Sequence, residues 1–536
     1  MTERVKPAVD VDSPYDDVDY QIGQDNIQIA GFDIHNPVFG ISAVLILIFV
    51  IGTLLAPEAA NGMLLDARNW AIAHFDWLFM AGGNLFVVFC LALIFLPVGK
   101  IRIGGETAKP EFSTMSWFAM LFAAGMGIGL MFWSVAEPVA YYTDWYGTPL
   151  GVAALTEEGK SLALGATMFH WGLHPWAMYG IVGLSLAFFA YNKGLPLTVR
   201  SAFYPILGSR TWGPIGDAID IVAVLATIFG LATSLGLGAQ QAASGLAYLG
   251  IVENGIGTQI ALIAFITSIA IFSVVRGLEG GVKLLSNINM IIAFILLVAV
   301  IALGSITGFF SNLIELFGSY IRNIGPLSNW VGRDDEAWFH GWTVFYWAWW
   351  ISWSPFVGMF IARVSKGRTV REFMLAVLVV PTIVCGVWVT AFGGDAIDQI
   401  QAGTGALTQG LTEVPLAMFQ MMEGLPMTSM ISFLAIVLVL VFFVTSSDSG
   451  SLVIDGITAG GKEDVPVAQR VFWATMEGLI AAALLFGGGS EALKALQAGA
   501  VTAGLPFAVI LILMCISLYM GLARDARKLG YSKAQA

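Results

Sequence analysis

Charge is the scarcest property of this chain. Asp, Glu, Lys and Arg make up only 12% of its 536 residues, about half the share of an ordinary soluble domain. A net charge of −12 and no basic stripe exclude nucleic acid as a partner. Cysteine is almost missing. Cys90, Cys385 and Cys515 all lie in apolar segments, which excludes a disulfide framework. There are five histidines. His170 and His174 stand four apart, but no Cys, Asp or third His accompanies them, so they read as hydrogen-bonded structural imidazoles rather than metal ligands. No nucleophile–base signature or phosphate loop appears in a suitable context, so the chain is not read as an enzyme and no cofactor is expected. The N-terminal tail has no apolar core and is not a signal peptide.

What is present is apolar. Hydrophobic residues make up 57% of the chain, and several uncharged runs reach the ~20 residues that cross a bilayer. The fold class is an all-α polytopic membrane protein. Twelve spans are predicted, near 38–57, 78–98, 115–142, 162–191, 217–249, 257–275, 286–308, 338–362, 371–393, 427–456, 470–487 and 500–522. The Lys and Arg residues divide 20 to 5 between alternate sides. This places both termini in the cytoplasm, with membrane lipid as the surrounding partner. Residues 1–37 form an acidic tail whose composition predicts disorder; 38–522 form the membrane domain, and 523–536 a short cytoplasmic tail. Between spans 7 and 8, residues 309–324 repeat apolar positions at helical spacing and predict an amphipathic helix on the membrane surface, ended by Gly325-Pro326.

Three segments depart from simple apolar helix. In WTVFYWAWWISWSPFVGMF (342–360), Trp342, Tyr346, Trp349, Trp350, Trp353 and Phe360 share roughly a third of a helical surface. Such a column of rings can hold a cation that donates no hydrogen bonds, such as a quaternary ammonium; its other reading is a packing face or an interfacial belt. In span 3, Gly125, Gly127 and Gly129 predict either a close helix contact or an unwound stretch whose carbonyls and N–H groups serve an ion and a carboxylate. A second break is expected at Ser354-Pro355 and a kink at Pro175. Two interrupted helices in corresponding positions of two halves suit an inverted-repeat transporter. In span 10, Thr445, Ser446 and the intramembrane Asp448 provide hard oxygens, or bond back to their own helix.

The runs WAWWISWSPFVGMFIARVSKGRTVREF (347–373), GMGIG with the following AEP (125–138), HWGLHPWAMY (170–179) and TSSDSGS (445–451) resemble the betaine/carnitine/choline transporter family across nearly the whole chain. That resemblance implies a leucine-transporter-like five-plus-five inverted repeat, made by spans 3–7 and 8–12 (about 115–308 and 338–522) with two extra N-terminal spans. It implies an aromatic cage of Trp171, Trp176, Tyr179 and Trp350. Trp349 and Trp353 would line the cytoplasmic route, Phe132 would lie beside the substrate and Phe345 toward the outside. Gly125, Met126, Gly127 and Gly129 would complete the site. A sodium site would use carbonyls of Ala123, Met126 and Phe442 with the hydroxyls of Thr445 and Ser446. A second would use Thr227 and Phe356, but Leu231 stands where the family has a further hydroxyl; Thr233 and Ser234 are nearby substitutes. Choline-type members carry an acid at the position of Gly129, so glycine suits a substrate with its own carboxylate.

The expected activity is sodium-coupled import of a zwitterionic onium compound, glycine betaine or dimethylsulfoniopropionate, across the inner membrane of a bacterium, with sodium as the coupling ion. The resemblance implies a homotrimer. A choline or carnitine carrier, or proton coupling, is the alternative within transport. A membrane enzyme or a pure osmosensor fits less well, since the tail after span 12 is too short for a lipid-reading basic helix.

Overall fold

The computed structural model describes residues 18, 20–125, 127–276 and 282–531. Among these the only strands are β1 (Asn26–Ile29) and β2 (Phe32–His35), an antiparallel hairpin. The remaining long elements are helices. They are α1 (Val38–Leu55), α2 (Pro57–Phe95), α3 (Thr114–Gly125), α4 (Ile128–Tyr142), α5 (Glu157–Trp171), α6 (Leu173–Ala187), α7 (Pro214–Tyr248), α8 (Ile256–Arg276), α9 (Val282–Leu303), α10 (Ile306–Leu327), α11 (Phe345–Val364), α12 (Val370–Val389), α13 (Thr428–Thr458), α14 (Val467–Gly488) and α15 (Ala492–Lys528).

This is an all-α polytopic membrane protein. Among the described residues, eight helical stretches are long and apolar enough to cross a bilayer, or nine if the bent pair α9–α10 is one span. Each of the twelve expected segments falls on helix, in unequal forms. Segment 115–142 is divided between the short α3 and α4, and 338–362 is aromatic and hydroxyl-rich rather than aliphatic. The last two share one helical stretch, 467–528. Side chains such as Ile48, Phe265 and Phe294 stand exposed on the outside, an arrangement water penalises and lipid does not.

Helix breaks are where structure and expectation differ most. Span 3 is interrupted as expected: α3 ends at Gly125, and Gly127 (φ −164°, ψ −179°) is the extended residue before α4. The break expected at Ser354-Pro355 is absent, and α11 runs straight through. Proline removes the N–H that Ile351 O would accept, and Ser354 Oγ donates to that oxygen instead, at 2.7 Å. The irregularity lies upstream, in a π-helical turn at Phe339–Val344. The disruption expected at Pro175 is a full break at Gly172 (φ −93°, ψ −130°). Pro175 then sits in the first turn of α6, where its missing N–H leaves no helical bond unmade.

The helix expected over 309–324 is present as α10, bent 110° from α9. It extends through Pro326 to Leu327 rather than ending before it. Its residues Asn312, Ser319 and Tyr320 are buried while Phe310, Ile314 and Ile321 face outward. The packing of α10 on α5 is among the most extensive in the molecule.

The expected disorder of 1–37 does not hold for 26–35. Ala30 (φ 50°) and Gly31 (φ 83°) make a two-residue turn that matches strand twist. The hairpin docks on the α13–α14 connection. Lys462 Nζ reaches Asp33 Oδ2 at 2.5 Å, Gln469 Oε1 accepts from the Asp33 N–H, and Asn26 Nδ2 donates to Ala459 O. His35 Nε2 lies 3.1 Å from Asp217 Oδ1 at the start of α7, and Tyr20 stacks on Trp212 at 4.2 Å. Burial opposes ionisation of Asp33, but Lys462 and Asn26 outweigh it and hold its carboxyl below the usual aspartate range. A lowered folded-state value means this stabilisation is complete above the ordinary aspartate pKa and is lost as pH falls through the lowered one. Lys462→Met should therefore raise amide exchange across 26–35 roughly tenfold at neutral pH. Unchanged exchange in hydrogen–deuterium mass spectrometry would show that apolar contacts alone hold the hairpin.

Candidate functional site

The site is built around the two breaks. The interruption at Gly172 leaves backbone groups that lipid cannot satisfy, and side chains take them. Tyr320 Oη of α10 accepts from the Leu173 N–H at 3.0 Å, and Trp350 Nε1 of α11 donates to His170 O at 2.9 Å. A Cβ on Gly172 would lie 2.7 Å from Met168 O and 2.9 Å from Tyr320 Oη, so only glycine fits. The break thus separates Trp171, the last residue of α5, from Trp176 and Tyr179 in α6, and pins Trp350 between them.

The rings form a continuous array. Trp349 and Trp350 stack at 4.6 Å, and Trp171 meets Trp350 edge-on at 4.8 Å. Trp176 and Tyr179 are 5.3 Å apart, and Tyr179 lies 6.4 Å from Trp350. These five line one pocket with Trp353, Gly127, Gly129, Leu130, Pro175 and Cys385, around a cavity of about 30 Å³. No charged side chain among the described residues lines it. Trp349 Nε1, Trp353 Nε1 and Tyr179 Oη are buried donors with no protein partner among the described residues.

Eight expected residues therefore meet in one place: Trp171, Trp176, Tyr179, Trp349, Trp350, Trp353, Gly127 and Gly129. Phe132 and Phe345 do not line it. Phe345 stacks behind Trp349 at 5.5 Å, and Phe132 packs edge-on against Trp133 at 4.9 Å. Trp133, 6.2 Å from Phe345, faces a separate cavity of about 690 Å³. Phe345 thus belongs to a partition between the two spaces. Gly125 is the last residue of α3; Met126 lies outside the described residues.

Gly129 has a steric reason of its own. A Cβ there would lie 2.5 Å from Trp349 Cη2 and 3.3 Å from Trp171 Cη2. The close approach that glycine permits is to indole rings, not to a second helix backbone.

Phe442, Thr445 and Ser446 fall on one face of α13 at i, i+3 and i+4. Thr445 Oγ1 donates back to Val441 O (3.1 Å) and Phe442 O (3.2 Å), and accepts from Asn289 Nδ2 of α9 at 3.4 Å. Ala123 is in the last turn of α3, where carbonyls have no helical partner. Thr227 Oγ1 donates to Ala223 O, and Phe356 packs edge-on against Trp353 at 5.3 Å. Leu231 is a packing residue: a Cβ on Gly450 would lie 2.4 Å from its Cδ1. Thr233 Oγ1 bonds Phe229 O and Leu496 O, and Ser234 Oγ bonds Gly230 O. Asp448 accepts from Ser273 Oγ at 2.7 Å and ties α13 to α8.

Two buried glutamates escaped the sequence reading. Glu137 in α4 and Glu477 in α14 are wholly buried. Ser447 Oγ donates to Glu477 Oε2 at 3.0 Å. Glu137 is the hub behind the rings, joined to Tyr141, His170, Trp171 and Tyr346. The rule that an acid inside a predicted span is functional by default, applied above to Asp448, marks both. His170 Nε2 pairs with Thr343 Oγ1, and His174 Nε2 with Asn84 Oδ1, so both imidazoles are hydrogen-bonded as expected.

The family pattern described as betaine/carnitine/choline family transporter matches residues 37–527. The chain belongs to this family. It is 64% identical over 512 residues to glycine betaine transporter 1 of Vibrio parahaemolyticus, covering 95% of this chain and 98% of that protein. A glycine betaine/proline/choline/ectoine transporter of the same organism is 61% identical over 95% of this chain and 91% of its own length. A glycine betaine transporter of Bacillus subtilis is 42% identical, covering 90% of this chain and 93% of its own length. The chain is accordingly a transporter of the betaine/carnitine/choline family and not an enzyme.

For this member, Gly129→Ala should cost about 1–3 kcal/mol by overpacking against Trp349, read as a lowered melting temperature in detergent. Adding Trp349→Phe should recover most of the loss. A Gly129→Ala protein as stable as wild type would mean the indole moves aside freely.

Proposed function

We propose that the protein is a symporter that imports a zwitterionic onium compound, glycine betaine before dimethylsulfoniopropionate, coupled to sodium. The observation that carries this is a pocket walled by five stacked or edge-on aromatic rings and lacking any charged lining residue among those described. π-faces attract a methylated cation that has no hydrogen to donate. A lining without charge suits a substrate that brings its own carboxylate, and the free donors of Trp349, Trp353 and Tyr179 suit that carboxylate. Three or four cation–π contacts at about 0.5–2 kcal/mol each supply part of the ~8 kcal/mol of micromolar binding, and carboxylate contacts the rest. The relatives' names support glycine betaine as the first substrate to try.

Sodium would sit between the end of α3 and the Phe442, Thr445 and Ser446 face of α13; Thr227 and Phe356 are a second candidate, weakened by Leu231. One sodium moving inward through 100 mV supplies about 2.3 kcal/mol, roughly fiftyfold accumulation. The architecture we infer has twelve spans, five-plus-five inverted symmetry, both termini in the cytoplasm and a homotrimer in a bacterial inner membrane. The 20-to-5 division of basic residues supports the orientation. A broader range that includes choline is the second reading, favoured by the 61% identical relative whose name includes choline, proline and ectoine. Uptake of radiolabelled glycine betaine, dimethylsulfoniopropionate, choline and carnitine in proteoliposomes, with sodium and proton gradients imposed separately, tests the reading. Accumulation driven by protons alone would overturn sodium coupling.

Trp350→Leu should lower glycine betaine affinity about tenfold or more in calorimetry, while Trp350→Phe keeps part of it. Equal binding by the leucine variant and wild type would remove the cage from the mechanism. Thr445→Ala with Ser446→Ala should abolish the rise in substrate affinity that sodium produces, since linkage between two ligands is reciprocal. If the double variant retains wild-type sodium activation, the ion is bound elsewhere.

A further inference from the structure

Behind the cage lies a carboxylate that the lining alone does not reveal. Glu137 is wholly buried in α4. Its Oε1 accepts from Tyr141 Oη at 2.9 Å and from His170 Nδ1 at 2.7 Å. Its Oε2 accepts from Trp171 Nε1 at 2.7 Å and from Tyr346 Oη at 2.6 Å. The four donors come from α4 itself, the broken end of α5 and the aromatic column of α11. No Lys or Arg side chain pairs with Glu137 among the described residues. An indole N–H can only donate, so Oε2 is fixed as an acceptor on Trp171. Tyr346 in turn lies 5.6 Å from the Trp350 ring at a shallow angle, and 5.7 Å from Trp171.

We propose that Glu137 is a positioning residue that also sets the charge preference of the cage. Its carboxylate fixes the Trp171 and Tyr346 rings and places negative charge one indole away from the pocket. The attraction of a cation to an aromatic face is electrostatic. A carboxylate bonded to the indole N–H pushes electron density into the ring, and it attracts the cationic head directly through a medium of low dielectric. The lining itself stays free of charge, so a substrate carboxylate meets no close repulsion. This inference rests on the onium reading of the pocket.

A merely structural hub and a charge-setting one differ in a measurable way. Glu137→Gln keeps the shape. Its carbonyl can stay on Trp171 and Tyr346 while its NH2 turns to Tyr141 and His170, both of which can accept. Only the charge is lost. Binding of glycine betaine and of its carbon isostere 3,3-dimethylbutanoate, which lacks the cationic head, is measured by tryptophan fluorescence at saturating sodium. Glu137→Gln should weaken glycine betaine about tenfold and leave 3,3-dimethylbutanoate unchanged, so their ratio falls. Tyr346→Phe, which deletes one donor and keeps the charge, should preserve the ratio whatever it does to the separate affinities. Equal weakening of both ligands by Glu137→Gln, or no change in either, would overturn the charge role. A wild-type protein that binds both ligands equally would instead overturn the onium reading, and this inference with it.

Discussion

Backbone polar groups freed inside a bilayer must find partners within the protein, and the site of this transporter follows from how two helix breaks meet that demand. At Gly172 the demand is met by side chains from elsewhere in the fold. Tyr320 comes from the bent helix α10 and Trp350 from the aromatic helix α11. Each bond that closes the break also fixes a neighbouring element of the fold. Trp350 cannot rotate without exposing His170 O, and α10 cannot leave α5 without exposing Leu173 N. At Gly127 the chain is extended between α3 and α4, beside the pocket that Gly127 and Gly129 help to line.

The chemistry of the pocket comes from separating ring faces from charge. Eight of its eleven lining residues are Trp, Tyr or Gly, and none of the eleven is Asp, Glu, Lys, Arg or His. The Glu137 carboxylate stands behind the indole it bonds, outside the lining. A membrane interior makes an unpaired charge costly. Glu137 is tolerated because four donors surround it, and those donors are the residues that must be held still. Burial of the acid and rigidity of the cage are thus one arrangement.

The same rule of local satisfaction explains where expectation failed. Pro355 looked like a breaker because proline deletes a donor. The neighbouring Ser354 hydroxyl replaces that donor, so α11 keeps its column of rings in register. Pro175 looked like the cause of a kink, yet the break precedes it at Gly172, where Met168 O and Tyr320 leave no room for a Cβ. Gly129 has a steric reason beside any bearing on substrate charge, since a side chain there would meet the Trp349 ring.

The amino-acid sequence by itself determined the class, the apolar segments, the interruption at 125–129 and the identity of the rings, because these are properties of composition and local spacing. Hydrophobic runs, glycines at alternate positions and a tryptophan column need no partner to be read. Tertiary structure alone decided which rings share a pocket, that Phe132 and Phe345 lie outside it, and that residues 26–35 fold onto the α13–α14 connection rather than trailing in solvent. It also decided that Glu137 meets Tyr346, 209 positions away in the chain. The reason is physical. A buried acid is affordable only with donors, and donors from α5 and α11 become neighbours of α4 only when the helices have packed.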